Sequence, residues 1–166
     1  MKLSDGVEWA IHCALLLAAL PPEGTLSGRA LAAFHGVPES YLLKHLKVLA
    51  AEGILQSVTG PRGGYRLARR PDEVSLLDIV DAVEGREPAF RCTEIRRRGP
   101  CAEGKGAYPR PCGINTAMLR AEAAYRQALA RETLNQIGES FLAAADKKRL
   151  ARMQDWIGQN MRMPRS

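Results

Sequence analysis

A mainly α fold with a small β-hairpin wing, a winged helix-turn-helix followed by a long dimerisation helix, is what this sequence of 166 residues predicts. Three observations predict it. Between Ser27 and Leu67, two short amphipathic segments flank a Gly-Val-Pro break, and two strand-like runs follow around a Gly-rich turn. Elsewhere, apolar residues recur at helical rather than alternating spacing. Residues 114–143 form an Ala-rich, Pro-free stretch whose interrupted apolar stripe is too long for one small domain to cover.

In chain order, residues 4–20 read as the first helix. Ser4 or Asp5 is its N-cap, Val7, Ile11, Ala14, Leu15 and Ala18 form its core face, and Pro21-Pro22 is its stop. Leu31, Ala32 and Phe34 give the second segment an apolar side. His35-Gly36-Val37-Pro38 breaks it, because Gly reaches unusual dihedrals and Pro cannot continue a helix. Glu39 or Ser40 starts the next helix, whose stripe is Leu42, Leu43, Leu46, Leu49 and Ala50, and Gly53 ends it. Ile54–Val58 and Tyr65–Leu67 are the strands of the hairpin. Leu76–Glu84 is a short core helix closed by Gly85. Residues 114–143 read as one long helix and Asp146–Asn160 as a last one. The organisation expected is a winged domain over 1–84, a cysteine-bearing loop over 85–113, and dimerisation and C-terminal helices over 114–160.

A buried stripe and a cationic edge on the second of two short helices is the plan of a recognition helix for the DNA major groove, and a basic hairpin after it is a wing. Residues 25–70 hold seven Lys and Arg against Glu39 and Glu52. Arg62 at the wing tip is expected to reach phosphate or the minor groove. Lys44 and Lys47 belong near the major groove, and Arg29, Ser40 and Tyr41 are further DNA-binding candidates. The formal charge of +6 favours a polyanionic partner. A homodimer through residues 114–143 would present two recognition helices to a pseudo-palindromic double-stranded operator about one DNA turn apart. No run has the length of a membrane span, and the first helix lacks the basic lead-in of a signal peptide, so a cytoplasmic protein with no membrane partner is expected. No nucleotide-binding Gly loop and no recognisable acid–base pair argue for an enzyme.

Residues 85–113 are dense in Gly and Pro, lack periodicity, and carry Cys92, Cys101 and Cys112. A loop of this length in a compact protein is commonly functional. Intervals of eight and ten residues between those cysteines are unlike a zinc knuckle, and three thiols with few other ligands fit an iron–sulfur cluster better. Free or disulfide-forming thiols are the alternative. Arg96-Arg97-Arg98 either offsets thiolate charge, touches DNA or is solvated. Glu8 and His12, four residues apart, project from one helix face beside Trp9. They are either two metal ligands or a helix-stabilising surface pair. Cys13, within the apolar part of that helix, reads as a small buried hydrophobe.

Taken together, these residues resemble the Rrf2 family of winged-helix regulators over about residues 1–140. The carriers are the helix-turn-helix, the wing ending Gly63-Gly64-Tyr65-Arg66-Leu67, the Leu76–Val83 helix, and a three-cysteine loop before a long helix. The cysteine spacing is wider than is common in that family, and Asn115 stands near where some members place a His. Glu8, Trp9, His12 and Cys92-Thr93-Glu94-Ile95-Arg96 instead resemble its RsrR branch. That resemblance implies a dimer holding a 2Fe–2S cluster with Glu and His of one subunit and two cysteines of the other, and DNA binding that responds to redox state. Cys101 and Cys112 are the favoured thiolates, with Cys92 a spare. Trp9, next to both helical ligands, is the expected switch, turning between buried and exposed positions; a core or interface filler is the other reading of it.

Overall fold

The computed structural model describes residues 2–60, 63–104 and 106–163. Helix α1 spans Asp5–Ala18, α2 Gly28–His35 and α3 Glu39–Ala51. Strands β1 (Leu55–Val58) and β2 (Gly64–Leu67) follow, then α4 (Leu76–Glu84), α5 (Gly113–Arg131), α6 (Leu134–Ala144) and α7 (Lys147–Asn160). The strands pair antiparallel, with Leu55 opposite Leu67 and Val58 opposite Gly64. The winged helix-turn-helix expected from the sequence is therefore present.

Each element has a local cause. Ser27 caps α2 by accepting from the Ala30 N–H at 3.1 Å, and Gly36 ends it in the left-handed conformation (φ 67°), where a side chain would be strained. Ser75 and Asp78 form a reciprocal capping box at the start of α4. Ser4 holds the N-cap position of α1 but does not cap it; its Oγ donates to Glu84 Oε1 at 2.6 Å, tying α1 to the end of α4.

The core forms where α1 meets α2, α3, α4 and α6. Ala10, Cys13, Ala14, Leu31, Leu42, Leu46 and Leu49 are wholly excluded from solvent. Cys13 behaves as a hydrophobe there: burial pushes its thiol up to about 12.

One expectation needs correction. Residues 114–143 are not a single helix; the chain breaks at Glu132-Thr133. The Leu76 N–H donates to the Glu132 carbonyl at 2.8 Å and the Leu134 N–H to the Val74 carbonyl at 3.0 Å, so the break is pinned to the segment before α4. Thr133 and Gln136 then form a capping box that restarts the helix as α6. Gly138 lies inside α6 without ending it. Leu134 enters the core at 1% exposure, so α6 packs back on its own winged domain. Helix α5 has no buried residue; it packs on α4, where Arg126 donates twice to the Asp81 carboxylate at 2.7 Å, and leaves its other side exposed. Truncating Leu134 to Ala is therefore expected to cost about 2–5 kcal/mol, the range for a fully buried Leu, checked by urea unfolding at fixed protein concentration.

Candidate nucleic-acid interface and candidate metal ligands

Helix α3 buries Leu42, Leu46 and Leu49 and turns Ser40, Tyr41, Lys44 and Lys47 to solvent. Tyr41 is 57% exposed, and the Lys44 ammonium lies 4.8 Å from its ring centroid, so ring and cation form one patch. Arg29 is exposed in the first turn of α2. Other cations of the region are engaged by acids. Arg66 pairs with Glu23 at 2.6 Å, Arg70 with Asp72 at 2.6 Å, and Arg69 approaches Asp78 at 3.7 Å. Arg62, the expected wing-tip contact, lies outside the described residues.

On α1, Glu8 and His12 are exposed and Trp9 is half-buried. All three line a cleft of about 200 Å³ together with His35 and Val37. His35 was legible in the sequence only as part of a helix break. In the fold its ring centroid is 5.6 Å from that of His12, and its buried Nε2 has no hydrogen-bond partner among the described residues. Burial first, then the neighbouring His12, hold its pKa below the usual imidazole value. Trp9 meets the ring of His45 on α3 edge-on at 6.3 Å. The α1 face carrying the candidate ligands thus touches the recognition helix through one aromatic pair.

The cysteine loop is organised by Arg96. Its guanidinium forms a double ion pair with Glu94, whose second bond is 2.8 Å, donates to the Arg110 carbonyl at 3.2 Å, and stacks 4.8 Å from the Tyr108 ring centroid. Glu94 holds a left-handed backbone (φ 52°), an uncommon state for a residue with a side chain. Cys112 stands at the N-terminus of α5, where the N–H groups of Asn115 and Ile114 face its sulfur without the geometry of a full side-chain cap. Those N–H groups, then the Arg96 charge and the Cys92 thiol, hold the Cys112 pKa below the usual thiol value, against the opposing effect of desolvation. Cys92 accepts the Glu94 N–H at 3.4 Å. Cys101 is exposed in a turn closed by the Ala102 N–H on the Gly99 carbonyl. The thiols this geometry brings together are those of Cys92 and Cys112, where the sequence favoured Cys101 and Cys112.

The donor set therefore comes in two halves: carboxylate and imidazole on α1, and a thiol pair beside a fixed cation at the start of α5. Within one chain the described residues bring no three His, Cys, Asp or Glu side chains into position around a metal. A thiol pair that includes Cys112, whose pKa is lowered, is suited to iron, and two further donors at helical i, i+4 spacing are suited to completing its coordination.

Comparison with known proteins agrees with this architecture. Residues 3–140 match the Rrf2 family model, described as an iron-dependent transcriptional regulator. A putative HTH-type transcriptional regulator of Lactococcus lactis, YffB, is 34% identical over 139 residues, 84% of this chain and 88% of the relative. Among solved structures, CymR of B. subtilis, titled its global cysteine regulator, superposes with a TM-score of 0.66 at 22% identity, covering 84% of this chain and 98% of that one. IscR of T. potens superposes with a TM-score of 0.64 at 21% identity, covering 91% and 96%. With a family match over most of its length and a recognition helix bearing exposed cations, the chain belongs to the Rrf2 family of winged-helix, DNA-binding transcription regulators, and is not an enzyme.

Proposed function

We propose that this regulator is a homodimer whose operator binding follows the redox state of a 2Fe–2S cluster. The ligands are Glu8 and His12 of one subunit and Cys92 and Cys112 of the other. The observation that carries the reading is the division of the donor set: two half-sites, each with two ligands, neither sufficient alone. Such a cluster supplies a one-electron change of charge. The chain's own residues supply the rest. Arg96 balances thiolate charge, and the N-terminus of α5 adds backbone donors to Cys112. His35, whose ring lies 5.6 Å from that of His12 in the same cleft, is the imidazole placed to respond to added negative charge. Trp9 connects that cleft to His45 on α3, so its displacement moves the recognition helix and shifts the population able to fit DNA.

Support for the dimer comes from α5, which packs on α4 on one side yet has no fully buried residue and exposes Ile114 (66%), Met118 (44%) and Leu119 (39%). Large apolar residues on the exposed face of a helix are satisfied by a second copy of the same face.

A second reading keeps the DNA binding and senses through thiols without a cluster. The proximity of Cys92 to Cys112 and the lowered Cys112 pKa favour it, and both are compatible with thiol exchange.

Three outcomes are expected. Protein prepared without oxygen shows a charge-transfer spectrum in the visible that is lost in His12→Ala and Cys112→Ser proteins and retained in Cys101→Ser; a colourless protein with redox-sensitive DNA binding would favour the thiol reading. Lys44→Ala and Lys47→Ala each weaken duplex binding and lower the slope of log affinity against log salt by about one, measured by anisotropy titration across a salt series. The Met118→Glu substitution converts the dimer to monomer at micromolar concentration, read by light scattering, because a charge at that face would be buried unpaired.

A further inference from the structure

The wing is two strands of four residues, and a hairpin of that size is marginal on its own. In this fold it is widened twice. Leu26 pairs with Tyr65 of β2, N–H to carbonyl in both directions, at 3.1 and 2.8 Å. Thr25, facing the other way, pairs with Arg162 in both directions, each bond 2.9 Å. The order across the sheet is therefore β1, β2, residues 25–26, and the segment at Arg162. The guanidinium of Arg162 then reaches over the intervening strand and donates from Nη1 to the Gly63 carbonyl at 3.1 Å. Gly63 and Gly64 begin the return of the wing from its tip. A Cβ on Gly64 would collide with the backbone of Leu26, so the glycine is what lets the strands approach this closely.

The segment is delivered by α7. Trp156 packs edge-on against Phe34 of α2 at 4.6 Å, the Met161 side chain lies over Gly24, and the helix ends at Asn160, two residues before Arg162. Residues 147–163 lie beyond the 3–140 span of the family match.

We propose that the segment after α7 is the outer strand of the wing sheet, and that Arg162 is a positioning residue for DNA binding, holding the wing through the Gly63 carbonyl. It acts by limiting the orientations of a small hairpin that must meet the duplex while α3 occupies the major groove. A wing held in one orientation spends less conformational entropy on binding. The inference uses only the DNA-binding activity and is independent of any cluster.

The Arg162→Ala substitution removes the guanidinium and leaves the backbone pairs with Thr25 possible, so the full-length variant is expected to fold and to have the wild-type oligomeric state. With a duplex selected from a random-sequence pool by the wild-type protein, its affinity should fall about 3–10-fold, as for loss of one hydrogen bond that restricts the bound state, with an unchanged salt slope. In the free protein, amide exchange at Tyr65 and Leu26 should accelerate while the amides of α1 and α4 keep their protection. Unchanged affinity overturns the proposal. A salt slope reduced by about one also overturns it, since Arg162 would then be a phosphate contact rather than a brace. Uniformly faster exchange with a lowered thermal midpoint overturns it too, by assigning the residue to general stability. Should Arg162→Ala fold poorly, Arg162→Gln, which keeps a long polar stem, takes the same three measurements.

Discussion

The inner face of α1 is the joint on which the rest of the structure depends. Ala10, Cys13 and Ala14 are fully buried and Leu17 is 2% exposed, and they contact a core shared with α2, α3, α4 and α6. Small residues at three of these four positions let neighbouring helices approach closely, and close-packed interiors transmit displacement rather than absorb it. The opposite face of the same helix carries Glu8 and His12 in a solvent-lined cleft. A single rigid element thus has its candidate chemistry outside and its mechanical coupling inside. Trp9, between the two faces, meets His45 on the recognition helix. The end of α1 is also tethered: Glu84 accepts from the Ser4 hydroxyl and backbone, and these bonds, with the nearby His45, hold its carboxyl below the usual range.

Much of this was legible in the sequence because the signals are local. The helix-turn-helix needed only a 3.6-residue stripe and the Gly36 and Pro38 punctuation, and the wing needed only turn residues between short apolar runs. Glu8 and His12 share a face because of spacing alone. What was not legible depends on tertiary pairing. The break at Thr133 has no Pro or Gly to announce it; it exists because Val74 and Leu76 take the backbone groups of Leu134 and Glu132. Local propensity favoured a continuous helix, and a bridge across more than fifty residues won. His35, His45 and Arg162 were missed for the same reason, since each acquires its role from a partner on another element.

The cysteine loop shows how far composition reaches. Gly, Pro and three thiols marked it as a candidate site, but nothing in the spacing ranks the thiols. The ranking comes from the hydrogen bonds of Arg96, which hold residues 94, 96 and 110 together and so bring the ends of the loop to one place. Cys101 sits on the excursion between those ends. An Arg fork is suited to this task, because its donors are fixed in a plane and satisfy a carboxylate and a carbonyl at once. Its charge also disfavours protonation of the thiol nearest to it. Of the arginine triplet, Arg96 is the member whose charge bears on Cys92 and Cys112.

A donor set split between subunits has a thermodynamic consequence of its own. In the proposed arrangement, a cluster binds the dimer and not the monomer, so by linkage its occupancy stabilises the α5 interface, and loss of the cluster loosens it. The apolar residues of α5 then need not make an interface that is tight by itself. Three large exposed side chains on a nineteen-residue helix are a modest surface by the standards of obligate dimers. Operator affinity inherits the same linkage, because two recognition helices bound together to half-sites on one duplex gain from effective concentration, whereas two monomers do not. Redox change, cluster loss and dimer dissociation therefore act on one equilibrium at different strengths: the first alters how well two helices fit their half-sites, and the last removes their connection altogether.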